Sequence, residues 1–319
     1  MMMIFQPIQL LANWLTYDIF SIAHKTRLAE TLNFFIFDTI KILILVTVII
    51  FAVSVIRSFL PKERVKAILS HKNQLTGNIL ASLLGIITPF CTCSAIPLFL
   101  GFLEAGVPLG VTFSFLIASP MINEVALIML LGMFGWKIAL IYIGSGLLIA
   151  VLSGVIIGKL GVENLIENLD YNANVSKSSA FTWRGRLKYA KSYTLGILKK
   201  IWLYVLLGIG VGAIIHGYIP TDFLATYAGA DRWYAVPLAA ILGIPLYSNA
   251  AGVIPLVLAL TEKGVAIGTT LAFMMAVTGL SLPEFMILRK VMKPKLIFIF
   301  AGIVGIGIIL TGYLFNAIL

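Results

Sequence analysis

Cys91 and Cys93 are the only two cysteines of the 319-residue chain, and a single residue separates them. A disulfide needs a specific separation of its ends, so thiols this close make a poor bridge. As free thiols they offer two soft sulfur donors within one turn of backbone. Such a pair can chelate one thiophilic ion or metalloid, or pass it from one sulfur to the other. The pair stands in TPFCTCSAIP, residues 88–97, among the hydroxyls of Thr88, Thr92 and Ser94. Pro89 removes a backbone donor there and crowds the preceding turn, so a helix through this run should break. A lone cysteine in an apolar segment is usually a small apolar residue. A pair at a helix break, flanked by hydroxyls, points instead to ligation.

Three further breaks carry polar groups. In IPLYSNAAG, residues 244–252, Pro245 is followed by Tyr247, Ser248 and Asn249 but by no thiol. The expected site is therefore asymmetric, with sulfur from one segment and hydroxyl and amide from the other. In ASPMINE, residues 118–124, Ser119 before Pro120 predicts the start of a half-helix, with Asn123 and Glu124 in its first turns. In VTGLSLPE, residues 277–284, Ser281 to Glu284 reads as a capping box. A carboxylate at membrane depth is a functional hypothesis by default, often a proton or cation site. That makes Glu124 and Glu284 the candidates for coupling. Glu104 and Glu262 precede Gly106 and Gly264 and read as interfacial turn residues. His24, His71 and His216 are scattered without metal-ligand spacing, and no Walker, HExxH or GxSxG sequence is present. Neither a primary pump nor a soluble-type enzyme is expected, and no cofactor is expected.

Membrane depth follows from composition. The chain is 60% hydrophobic and 11% charged, whereas a soluble domain carries about 25% charged residues. The bilayer is the solvent that tolerates such a chain. The net charge of +10 reads as Lys and Arg gathered in loops on the cytoplasmic face. No base-stacking platform or nucleic-acid motif accompanies it, so nucleic acid is not expected as a partner. Gln6, Pro7, Gln9, Asn13 and Asp18 interrupt the first apolar run. Residues 5–23 therefore predict an interfacial amphipathic helix rather than a cleaved leader.

The elements that position the breaks repeat. PLFLGFLEAGVPLGVTFSFLIA, residues 97–118, returns 158 residues later as PLVLALTEKGVAIGTTLAFMMA, residues 255–276. Pro97, Glu104, Gly106 and Gly110 match Pro255, Glu262, Gly264 and Gly268; Thr112, Phe115 and Ala118 match Thr270, Phe273 and Ala276. Pro89 corresponds to Pro245 after a two-residue shift, and Pro61 to Pro220. Each half predicts a long apolar helix (34–58; 195–218), then a short amphipathic stretch (61–73; 220–232). A broken apolar stretch follows (78–103; 234–260), then a second (107–133; 264–288), and an uninterrupted helix closes the half (136–158; 295–318). If one broken stretch per half is re-entrant, each half keeps three spans and the second half inverts. That arrangement puts Lys62, Arg64, Lys66 and Lys72 on one side with Arg184, Arg186, Lys188 and Lys191 and with Arg289, Lys290, Lys293 and Lys295, as the positive-inside rule favours. Pro89 and Pro245 at their centres single out 78–103 and 234–260 as the re-entrant stretches. The expectation is an all-α integral membrane fold of two inverted repeats. Each repeat has three spanning helices, one of them broken, and a re-entrant hairpin; interfacial amphipathic helices complete the fold. The segments are an N-terminal interfacial piece (1–33), a first repeat (34–158), a cytoplasmic linker (159–193) and a second repeat (194–319). Broken helices at the midplane usually build a transporter's substrate site.

Through TPFCTCSAIPLFLGFLEAGVPLGVTFSFLIASPMINEVAL, residues 88–127, the chain resembles the predicted-permease family that contains the ArsP organoarsenical efflux permeases. The resemblance extends over most of the chain. It implies secondary transport outward across a bacterial-type inner membrane, with a trivalent organoarsenical such as methylarsenite as the solute. It also implies Cys91 and Cys93 as the arsenic ligands. A three-thiol site cannot form within one protomer that has two cysteines, which suits a monomethylated arsenical better than inorganic arsenite. Two other readings compete. One is a permease for a soft metal such as copper or zinc, or for a sulfur compound. The other is a membrane thiol oxidoreductase, which would need a redox cofactor or a second cysteine pair.

Overall fold

The computed structural model describes residues 2–23, 26–59, 74–87, 92–167, 183–218, 232–246, 250–289 and 291–318. Among them the secondary structure is helical, apart from one isolated antiparallel bridge between Ile166 and Met292. Four stretches are long and apolar enough to cross a membrane: Arg27–Ala52, Ala126–Lys159, Ile267–Leu288 and Pro294–Ile318.

Helix α1 (Met2–Asn13) continues into a π-helical turn, Trp14–Ile19. It docks on α2 (Arg27–Phe59) through a cluster of three amides, in which Gln9 donates to Asn13 and Asn33 at 3.0 and 2.9 Å. Helix α2 starts seven residues before the apolar run because Thr26 caps it, accepting from the Ala29 amide at 3.2 Å. The expected amphipathic stretches 61–73 and 220–232 lie wholly or almost wholly outside the described residues. Next come α3 (Gln74–Ile87), α4 (Thr92–Glu104), α5 (Leu109–Met121) and α6 (Glu124–Lys159). The second half has α7 (Trp183–Tyr218), α8 (Ala235–Gly243), α9 (Ala250–Glu262), α10 (Ile267–Gly279), α11 (Leu282–Leu288) and α12 (Pro294–Ile318). Residues 183–193, read as linker from their charge, form the first turns of α7. There Tyr189 stacks on Tyr193 and Ala190 is buried.

Hydroxyls inside these apolar helices mostly bond back to the preceding turn: Thr47 to Leu43, Ser54 to Ile50, Thr194 to Ala190 and Thr261 to Val257. Such back-bonding satisfies a hydroxyl where no water is available.

Helix directions follow from close contacts. The Gln74 amide lies against Gly110 and Gly158, and Gly85 lies against Phe115, Ala118 and Ser119. Helices α3 and α5 therefore run parallel and pack directly on each other, and α4 packs on α5. Gly154 packs on Gly110 and Ser114, Ile122 on Gly146, and the Tyr142 hydroxyl donates to the Met121 carbonyl at 2.6 Å. A straight α6 could not bring Tyr142 back to Met121. The chain reverses at Gly135, whose φ of 82° and ψ of 174° suit glycine. The arm after Gly135 then runs antiparallel to α5.

The second half reproduces this packing at the same offset of 158. Gly243 lies against Phe273, Ala276 and Val277, and Gly268 against Gly312 and Asn316. The turns match bond for bond. Val107 donates to Phe102 and Gly106 to Leu103, as Val265 donates to Leu260 and Gly264 to Thr261. Gly106 and Gly264 both have positive φ, 77° and 84°. The repeat in the sequence is thus a repeat in packing.

Candidate functional site

The breaks are where the halves meet. Met121 ends α5 and Gly279 ends α10, and these are equivalent positions of the repeat. They touch: a Cβ on Gly279 would come 2.9 Å from Met121 Cγ. Ile149 and Gly307, also equivalent, make the second such contact, at 3.1 Å on the same measure. Equivalent residues that touch each other mark a pseudo-two-fold axis, and two such points fix its line. One lies at the helix breaks, the other near the middle of the closing helices. An aromatic chain crosses between the halves beside it. Phe99 packs on Phe113 at 5.3 Å, Phe113 on Phe300 at 5.8 Å, and Phe300 on Phe285 at 6.3 Å between ring centres. Edge and tilted contacts of this kind add to simple burial.

Around this axis the expected site residues fall as follows. Pro89, Cys91, Tyr247, Ser248 and Asn249 lie outside the described residues. Thr92, Cys93 and Ser94 form the first turn of α4, so the thiol segment leads directly into that helix. Pro245 is half-buried in the turn after α8. There the Ile244 carbonyl accepts from the Leu282 amide at 2.8 Å, joining the end of α8 to the break between α10 and α11. Asn123 is half-buried in the gap between α5 and α6, with its carbonyl accepting from Leu127 at 3.0 Å. Glu124 is the first residue of α6 and half-buried. Glu284 sits in the first turn of α11 and is 2% exposed.

Two expectations need correction. Ser119 and Pro120 do not start a half-helix; they form the last turn of α5, and the new helix begins only at Glu124. Proline is tolerated there because the Ile122 amide still reaches the Ala118 carbonyl at 2.9 Å, and Tyr142 takes the Met121 carbonyl. Ser281 is indeed the cap position of α11, but its side chain makes no capping bond, so the capping box does not close. The start of α11 is held by Pro283 and by the Leu282–Ile244 bond instead.

The helices pair across the halves. Helix α4, which begins with the thiol segment, packs on α11, which carries Glu284; helix α9 packs on α6, which begins with Glu124. Among the described residues no group of three or more His, Cys, Asp and Glu is placed to hold a metal ion. Reading the sequence alone missed Tyr142, the brace of the first break. At its equivalent position the second half has Phe300, whose side chain offers no hydroxyl. It also missed Asn78 and Ser82, two buried polar residues one turn apart on α3. Their spacing of four within an apolar run is the signal that could have found them.

The profile of a family described as a predicted permease, ArsP_1, matches residues 27–317. A UPF0718 protein of Methanocaldococcus jannaschii is 20% identical over 297 residues, covering 75% of this chain and 81% of its own length. The UPF0718 protein YraQ of Escherichia coli is 23% identical over 261 residues, covering 81% and 73%. No solved structure matches the chain.

Proposed function

Because the chain belongs to the ArsP_1 predicted-permease family, we propose that it is a multi-pass secondary transporter of the bacterial-type inner membrane that exports a small thiophilic solute. A trivalent organoarsenical such as methylarsenite is the solute, and Cys91 and Cys93 bind it near the midplane. Thr92, Ser94 and Asn123 line the site from the first half, and Tyr247, Ser248 and Asn249 from the second. The observation that carries the reading is the contact of Met121 with Gly279, which brings the two breaks together on the pseudo-two-fold axis. Breaks that meet in this way are where transporters bind their solutes.

In this reading 74–104 and 235–262 are re-entrant hairpins. Three facts support it for the first. Helix α3 starts level with the start of α5, α4 ends at the turn that begins α5, and α3 is 14 residues long. At 1.5 Å per residue that is about 21 Å, short of a hydrocarbon core of roughly 30 Å. The repeats are inverted. The segment after α6, at the near end of the first half, pairs with the turn after α11, at the far end of the second half. Glu167 donates to Val291 and Lys293 to Leu165, both at 2.8 Å, and Arg289 lies 3.8 Å from Glu167. A near end and a far end then share one face of the membrane. The positive-inside rule makes that face cytoplasmic.

Everted membrane vesicles test the function. Vesicles with the protein should accumulate methylarsenite, and Cys91→Ser or Cys93→Ser should lower uptake about tenfold or more, since serine keeps size but removes the soft donor. Equal uptake by the double serine variant would overturn thiol ligation. Uptake of copper or zinc in place of the arsenical would reassign the cargo.

A further inference from the structure

Buried hydroxyls such as those of Thr16, Ser54 and Thr194 are satisfied by their own helix. Asn78 and Ser82 are not. Both are fully buried, and neither the Asn78 amide oxygen and nitrogen nor the Ser82 hydroxyl has a hydrogen-bond partner among the described residues. They stand four apart on the face of α3 that packs on α5 and α6. Gln74 precedes them on this face, exposed at the start of the helix with its amide against Gly110 and Gly158. Gly85 follows, against the backbone of α5 just before the hairpin tip. The face is thus a strip of Gln74, Asn78 and Ser82 leading inward.

At the equivalent positions the second half has Val236 and Ala240, both buried. There Val236 lies against Gly312, and the polar groups at the open end of the seam, Asn316 and Thr269, bond to each other. The unpartnered buried pair belongs to one half only, the half that carries the thiols.

A buried amide without a partner is costly, and natural proteins pair it or hydrate it. A cation does not fit. The Asn78 amide offers two donors as well as its acceptor, and the regular α3 helix keeps its carbonyls in its own bonds. Water fits, because one molecule both donates and accepts and typically makes about three hydrogen bonds when buried. We propose that Asn78 and Ser82 hold ordered water in the seam between α3 and the α5–α6 pair, reached from the Gln74 end of that seam. The water site stands on the unpartnered groups, not on the transport reading above.

The test needs no transport. With Cys91 and Cys93 both replaced by Ala, a cysteine is placed at Ser82 or, as control, at Ala240. Each variant, in vesicles, is treated with a small hydrophilic methanethiosulfonate. Modification depends on access of water and reagent to the thiol, so Ser82→Cys should react about tenfold faster than Ala240→Cys. Equal or slower reaction would overturn the hydrated seam and leave the thiol reading intact. Should Ser82→Cys not fold, the double change Asn78→Val with Ser82→Ala, which copies the second half, decides. A melting temperature in detergent that is unchanged or lower supports bound water. A higher one means the change removed truly unsatisfied groups, and the proposal falls.

Discussion

A carboxylate at the start of a half-helix is held by competing forces. Placing a charge at the centre of a membrane helix costs about 2.5–3.5 kcal/mol on insertion scales. Glu124 can lower that cost by taking up a proton, by pairing with a cation, or by accepting amide hydrogen bonds at the start of α6. In the proposed transport reading this is the carboxylate that couples solute movement to protons. Glu124→Gln keeps the hydrogen-bonding shape but cannot titrate. It should bind solute as before yet lose the pH dependence of transport, read as vesicle uptake across a pH series. If both uptake and its pH profile are unchanged, coupling moves to Glu284, which lies deeper and on the helix that α4 touches. Both carboxylates were legible because Pro120 and Pro283 stand beside them in the sequence. The role of Pro120 was not legible, since a Ser-Pro pair suits a first turn and, where a neighbour braces the carbonyl, a last one. Tyr142 supplies that brace from a helix that reverses direction first, and nothing local to residues 118–124 encodes it.

At the scale of elements, close helix packing depends on glycines that repeat. Gly110 meets the Gly154 carbonyl, and Gly268 meets the Gly312 carbonyl. The atoms in the way are backbone, so an added methyl cannot be accommodated by a side-chain rotation. Overpacking of this kind costs about 1–3 kcal/mol. Gly110→Ala and Gly268→Ala should therefore each lower the melting temperature in detergent, and by similar amounts. Gly302→Ala, with open space around it, should not lower it. A loss confined to one half would mean that the two packings are not equivalent. Sequence patterning found the helices and their breaks but placed the starts of α2 and α7 inside their true limits. Hydropathy marks the apolar stretch, whereas Thr26 and the Tyr189–Tyr193 stack extend these helices into polar sequence. The bridge between 165–167 and 291–293 was invisible, being made of backbone bonds between segments far apart in the chain.

At the scale of the molecule, the proposed inversion of the repeats sets which surfaces share a side. Glu163 and Lys293 stand close to the bridge, and Lys137 follows the Gly135 reversal; all three are exposed. With Cys91 and Cys93 replaced by Ala, cysteines at Glu163 and Lys293 should resist a membrane-impermeant reagent in intact cells and react in everted vesicles. A cysteine at Lys137 should do the opposite. Reaction of Glu163→Cys and Lys293→Cys from opposite sides would contradict the inversion.

The two contacts on the axis also bear on how such a chain can be encoded. At each, a large residue faces a glycine: Met121 against Gly279, Ile149 against Gly307. Identical halves would put methionine on methionine or glycine on glycine, leaving the centre overfilled or hollow. A pair of unlike partners can be kept only when the two copies are written separately and allowed to drift apart. Two distinct copies of the repeat, rather than one copy used twice, are therefore a steric necessity for this centre, and the same freedom lets one copy keep the thiols while the other does without.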